Sequence, residues 1–106
     1  MNNDILNELY KLILERKKTV HDNEDEKSYT KYLFREGINK ILKKVGEETA
    51  EVIIAAKDAS NGAGAEDYNA LIIEETADLL YHLLVMLAEL DIKFSDIEEE
   101  LKKRFK

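Results

Sequence analysis

The chain has 106 residues, 44% hydrophobic and 37% charged, with a formal net charge of −7 and neither cysteine nor proline. That composition fits one compact domain over residues 1–106 and excludes a disordered chain, a disulfide framework and a thiolate zinc site. Its apolar runs are too short and interrupted to span a bilayer, and each cluster of Lys and Arg has acids nearby, so no continuous basic face is offered to nucleic acid.

The N-terminus, MNNDILNELYK, lacks the basic flank and apolar run of a signal peptide, so a cytoplasmic location is expected. Ile5, Leu9, Leu12 and Ile13 follow helical spacing and predict a first helix near 3–18. The stretch from His21 to Lys27 has no apolar residue and reads as an exposed loop. Ser28 is placed to cap a short helix running to about 35, and Gly37 interrupts or kinks the chain. A helix over about 37–60 follows, with Ile38, Ile41, Leu42, Val45, Val52, Ile53 and Ala56 on one stripe. Ser60-Asn61-Gly62-Ala63-Gly64 is the clearest turn.

A long helix over about 66–91 is apolar around most of its circumference. Leu79, Leu80, Leu83, Leu84 and Leu87 form its main stripe, and Tyr81, Val85 and Ala88 cover much of the rest. Such a helix needs burial between helices or against a second subunit. Ser95 or Asp96 is placed to cap a short C-terminal helix after Lys93-Phe94. No β-alternation or repeat occurs. The expected class is all-α: a helical hairpin of two long helices with short flanking helices. A monomer of this length has too little else to cover the last long helix, so a two-fold homodimer with a four-helix-bundle-like core is expected.

Two acidic patterns carry the chemistry, Glu47-Glu48-x-x-Glu51 and Glu75-x-x-Asp78. Helical spacing puts Glu48 and Glu51 on one face, and Glu75 and Asp78 on one face of the next helix. Alone, the first pattern reads as a solvated helix face with Lys43 and Lys44 as i,i+4 partners. The second sits in an apolar stretch where a carboxylate loses water and must find a partner. If the two patterns face each other, four carboxylates converge. Like charges about 5 Å apart repel by roughly 3 kcal/mol at an effective dielectric near 20. A divalent cation relieves that repulsion, and an all-oxygen set suits magnesium or manganese. The chemistry that follows is phosphoryl or pyrophosphoryl hydrolysis. His82, one turn beyond Asp78, is placed to orient Asp78 or a phosphate.

These residues carry a resemblance. Glu47-Glu48-x-x-Glu51 followed on the next helix by Glu75-x-x-Asp78 is similar to the signature of the all-α nucleoside triphosphate pyrophosphohydrolases, the MazG-like superfamily. Within it, Ser28-Tyr29-Thr30, Lys44-Val45-Gly46-Glu47-Glu48, Ala55-Ala56-Lys57 and Glu74-Glu75-Thr76-Ala77-Asp78-Leu79-Leu80-Tyr81-His82 resemble the phosphoribosyl-ATP pyrophosphohydrolase family of histidine biosynthesis. The resemblance covers about 28–90.

It implies magnesium-dependent hydrolysis of phosphoribosyl-ATP to phosphoribosyl-AMP and pyrophosphate. Glu48, Glu51, Glu75 and Asp78 would be the metal ligands. Glu47 would be a further acidic group at the metals, and Lys44 would face the phosphates. Ser28, Tyr29 and Thr30 would hold the substrate, with Lys57 and His82 as further contacts. The family often carries a fused cyclohydrolase in front, which this sequence lacks, so a separate protein is expected to take the product. Two other readings share parts of the pattern. A house-cleaning pyrophosphohydrolase of non-standard nucleoside triphosphates uses the same metal chemistry with another pocket. A non-catalytic helical dimerisation module predicts exposed, independent carboxylates and no metal.

Overall fold

The computed structural model describes residues 4–22, 27–62 and 68–105. Among them every regular element is helical: α1 (Ile5–Lys18), α2 (Tyr29–Glu36), α3 (Ile38–Ser60), α4 (Tyr68–Glu89) and α5 (Phe94–Lys102). Parts of the expected loop at 21–27 and turn at 60–64, and the expected helix starts at residues 3 and 66, lie outside the described residues. No helix among the described residues is long and apolar enough to cross a membrane.

Local chemistry sets the helix ends. Asp4 caps α1 through Asn7 N–H, and Arg16, Lys17 and Lys18 occupy its last turn, where cations complement the helix dipole. Ser28 caps α2 as expected, its Oγ accepting from Lys31 N–H at 3.2 Å. Gly37 is the single residue between α2 and α3, capping the end of one and the start of the other. Its φ of 91° and ψ of −172° lie in a region essentially reserved for glycine. At α5 the expected cap is displaced. The helix starts at Phe94 after Lys93, with no side-chain cap, and Asp96 falls in the first turn. Docking of Phe94 against Tyr10, 6.0 Å between ring centroids, sets that start.

The core joins Tyr10 and Ile13 of α1, Leu33 of α2, Ile41 of α3, Leu84, Val85 and Ala88 of α4, and Phe94 of α5. Lys17 ties α1 to the end of α4, donating to the Ala88 carbonyl at 2.7 Å and pairing with Asp91 at 2.9 Å. The most extensive helix–helix contact is α3 with α4.

Two expected stripes are redrawn. On α3 the buried residues are Ile41, Glu48 and Ala55, spaced seven apart, while Leu42, Ile53 and Ala56 are exposed. On α4 the buried residues are His82, Leu84, Val85 and Ala88, whereas Leu80 of the expected main stripe is exposed. A helix that is apolar nearly all round does not itself say which side meets its neighbours; the positions of α1, α2 and α5 decide that.

Candidate active site

The line Ile41–Glu48–Ala55 puts Glu48 at a core position of α3, where an apolar residue would otherwise sit. Glu48 is buried, Glu75 half-buried and Glu51 exposed, and one ligand oxygen from each lies within 4.8 Å of the others. The spacing matches the roughly 5 Å at which unscreened carboxylates repel strongly. Oε2 of Glu48 and Oε2 of Glu75 are both shielded from solvent and have no hydrogen-bond partner.

The three carboxyls share protons unequally. Burial, then contact with Glu51, pushes the Glu48 carboxyl up, with Asp78 adding to the rise and His82 opposing it. Contact with Glu51, then burial, raises Glu75 to about 7. Glu51 accepts from both neighbours, Glu75 first, and is held below its ordinary value. Without a cation the middle carboxyl favours its charged form, and the outer two hold their protons more tightly than isolated carboxyls do. This donor set fits a hard divalent ion: all-oxygen, partly buried, and with two unused oxygens.

Asp78 is exposed, and its carboxylate stands outside the close group of three, near enough to raise Glu48 and Glu75. Glu47 is exposed and pairs with Lys44 at 3.3 Å. Lys44 also reaches Glu48 at 3.6 Å, so it spans the edge of the acidic group. Contact with Glu47 raises the Lys44 ammonium and keeps it charged. Lys43 makes no ion pair among the described residues, so of the i,i+4 pairs a plain solvated face would carry, Lys44–Glu48 forms and Lys43–Glu47 does not. Lys57 is exposed in the last turn of α3 and makes no ion pair with the four carboxylates.

His82 is 4% exposed, and both ring nitrogens are engaged. Its Nδ1 is 2.7 Å from the Asp78 carbonyl, which can only accept, so Nδ1 carries the proton. Its Nε2 hydrogen-bonds with the Tyr29 hydroxyl, 2.8 Å away. Burial pushes the Tyr29 hydroxyl up, which keeps it protonated at neutral pH. Thr30 and Tyr81 join their hydroxyls beside this pair. Tyr29 and Thr30 thus fasten α2 to α4 of the same chain, while the Ser28 hydroxyl is used as a cap.

The clasp builds a second feature that the acidic motifs did not reveal. Tyr29 and Tyr32 of α2 face Lys40, Lys43, Lys44 and Glu47 of α3 across a cleft of about 330 Å³. The tyrosine rings stack at 6.1 Å, and the Lys40 ammonium lies 6.0 Å from the Tyr32 ring centre. The signal was present in the spacing Lys40-x-x-Lys43-Lys44, which puts the lysines on one helical face, and in Tyr29-x-x-Tyr32.

An all-helical chain with clustered carboxylates on two packed helices and lysines beside them has the features of a metal-assisted hydrolase of phosphate anhydrides. A family model described as phosphoribosyl-ATP pyrophosphohydrolase matches residues 6–105. A phosphoribosyl-ATP pyrophosphatase from Clostridium novyi is 49% identical over 105 residues, covering 99% of this chain and 84% of the relative. One from Clostridium acetobutylicum is 53% identical over 102 residues, covering 96% and 82%. A histidine biosynthesis bifunctional protein HisIE from Thermoanaerobacter pseudethanolicus is 50% identical over 99 residues, covering 93% of this chain and 40% of that one. The chain belongs to the phosphoribosyl-ATP pyrophosphohydrolase family.

Proposed function

We propose that the protein hydrolyses phosphoribosyl-ATP to phosphoribosyl-AMP and pyrophosphate, an early step of histidine biosynthesis. The observation that carries the reading, beside family membership, is the group Glu48–Glu51–Glu75 with its two partnerless buried oxygens. Magnesium, or manganese in its place, would be held by Glu48, Glu51 and Glu75, with Asp78 beside them as the fourth ligand. A bound cation of this kind neutralises phosphate oxygens and lowers the pKa of an attacking water.

The chain's own groups supply the rest. Lys44, held charged at the rim, meets phosphate oxygens next to the carboxylates. Glu47 anchors Lys44 on its outer side. Ser28, Tyr29 and Thr30 set the position of α2 over the cleft, and His82 fixes Tyr29. Lys57 remains a candidate contact for the far parts of the substrate, whereas His82, buried with both ring nitrogens engaged, acts through Tyr29 rather than by touching substrate.

The working unit in this reading is a helical hairpin paired with a second copy. Glu51 meets Glu75 while Glu48 meets Asp78 and His82, so numbers rise on one helix as they fall on the other. The radius of gyration is 16.1 Å, against about 13 Å for a compact chain of this length. The accessible surface is 7675 Å². That is roughly 1,600 Å² more than a compact monomer of this mass exposes. Ile53 at 62% and Ile73 at 70% exposure lie on the two long helices that a partner would cover. The product then passes to a cyclohydrolase, and the setting is the cytoplasm.

The test is pyrophosphate release from phosphoribosyl-ATP, with and without magnesium, beside a panel of nucleoside triphosphates. Magnesium-dependent turnover at least about 100-fold more efficient on phosphoribosyl-ATP than on any member of the panel is expected. Preference for a non-standard nucleoside triphosphate would favour the house-cleaning reading, and no turnover at all would favour a dimerisation module.

A further inference from the structure

The face of α3 that carries the acidic group carries the opposite charge earlier in its length. Lys40, Lys44, Glu48 and Glu51 follow one another at helical spacing on that face. Lys44 is bound to the acidic group through Glu47 and Glu48. Lys40 and Lys43 form no ion pair among the described residues, although the chain carries a net charge of −7. Both line the cleft closed on its far side by Tyr29 and Tyr32. Two unneutralised ammonium groups in a concave, aromatic-walled site concentrate positive potential there. Lys40 precedes Glu48 by eight residues, about 12 Å along the helix axis.

We infer that the Lys40–Lys43 end of this cleft is a separate phosphomonoester subsite. It binds the 5′-phosphate of the N1-linked ribosyl group and distinguishes phosphoribosyl-ATP from ordinary nucleoside triphosphates. The inference rests on the hydrolysis reading above for the identity of the second anion. A phosphoribosyl nucleotide carries phosphate at two separated places, a triphosphate chain and a lone monoester, whereas a nucleoside triphosphate carries only the first. The helix offers two matching places. The acidic half handles an anion through a cation, and the basic half handles one directly. Lys40 holds its ammonium against the Tyr32 ring while it awaits that anion, which orients the side chain without neutralising it. The Tyr29–Tyr32 stack gives the sugar between the two anions a flat wall.

The experiment compares phosphoribosyl-ATP with its dephosphorylated analogue, N1-ribosyl-ATP, on the wild-type protein and on Lys40→Gln and Lys43→Gln. Wild type should favour phosphoribosyl-ATP in kcat/KM, through KM rather than kcat. Each substitution should reduce that preference by about tenfold, the double variant should bring it near unity, and Lys40→Arg should largely keep it. A preference that survives both substitutions overturns the subsite, as does a loss shared equally by the two substrates. A binding measurement independent of turnover separates this inference from the proposed function. Titration with ribose 5-phosphate in the absence of metal should perturb the Tyr32 ring resonances of wild type and leave those of the double variant still. If ribose 5-phosphate behaves so and phosphoribosyl-ATP is not turned over, the subsite stands and the hydrolysis reading falls. If ribose 5-phosphate perturbs both proteins alike or neither, the subsite is refuted, whatever the turnover.

Discussion

The two halves of α4 occupy different surroundings. From His82 to Ala88 the helix is part of the core, packed with Tyr10, Ile13, Leu33 and Ile41. From Tyr68 to Leu80 no residue is fully buried, and Leu71, Ile73 and Leu80 are exposed. Glu75 and Asp78 stand in the open half, two turns and one turn before His82 marks the closed one. The closed half fixes α2 and its tyrosines against α4. The open half leaves one side of the acidic group accessible and leaves apolar side chains exposed; in the proposed reading these meet cation and substrate, and a second copy, respectively. Position is supplied by one half and chemistry by the edge of the other.

The largest effect comes from breaking that edge. Glu48→Gln, Glu51→Gln and Glu75→Gln should each lower turnover by more than about 100-fold while the helical circular dichroism signal stays near wild type. Asp78→Asn tests whether the fourth carboxylate joins the group when a cation is present, and a loss of the same order is expected. A glutamine variant that kept a third of wild-type turnover would remove its residue from the metal assignment.

Next in size are two substitutions that set one half against the other. Leu84→Ala, in the closed half, should lower stability by about 2–5 kcal/mol in urea melts. Ile73→Asp, in the open half, should instead give a monomer in sedimentation equilibrium and a Tm that no longer rises with protein concentration. Identical behaviour of the two variants would erase the distinction between the halves.

A smaller effect tests the clasp. Tyr29→Phe removes the hydrogen bond to His82 Nε2 and should cost about 1–3 kcal/mol, because a buried ring nitrogen loses its partner. It should also raise KM more than it lowers kcat, since α2 walls the cleft and carries none of the carboxylates.

The smallest effect is with pH. Folding raises Glu75 to about 7 and raises Glu48 as well, so between pH 4.5 and 7 the metal-free folded chain binds more protons than the unfolded one. Their contribution to stability is therefore present at low pH and lost as pH rises through that window. Glu51, held down, works in the opposite sense, and its window lies below pH 4.5. Metal-free protein should melt lower at pH 8 than at pH 5.5, and Glu75→Gln should flatten the difference. Saturating magnesium should raise Tm more at pH 8, where fewer protons have to be displaced than at pH 5.5. A magnesium gain equal at both pH values would contradict the proton arrangement.

The sequence showed some features more clearly than others, for physical reasons. The Ser28 cap and the i,i+3 carboxylates depend only on neighbours along one helix, so their spacing was enough. The position of Glu48 among core residues was hidden, because the α3 stripe was drawn to include Ile53 and Ala56, which face outward. Nothing within α3 distinguishes a side facing α2 and α4 from a side facing solvent or a partner. The bond from Tyr29 to His82 spans 53 residues and needs the fold to exist before it can be seen. The start of α5 followed a tertiary contact, Phe94 on Tyr10, rather than the nearest capping side chain. Lys40 and Tyr32 carry no signal of their own, because lysines and tyrosines on exposed faces are ordinary until two helices bring them to one cleft.

Gly37 has a consequence for how sequences of this kind can vary. It joins α2 to α3 alone, so the tyrosine wall and the lysine wall are set by a hinge one residue long. A linker that short has no slack to absorb a change in length. One residue inserted in the first turn of α3 would rotate Lys40, Lys43 and Lys44 by about 100° relative to the tyrosines and carry them off the cleft. A substitution between Tyr29 and Lys44 changes one side chain, whereas a change in their count moves a whole wall: over this stretch the protein works as a ruler, and a deletion or insertion is a graver edit than most substitutions.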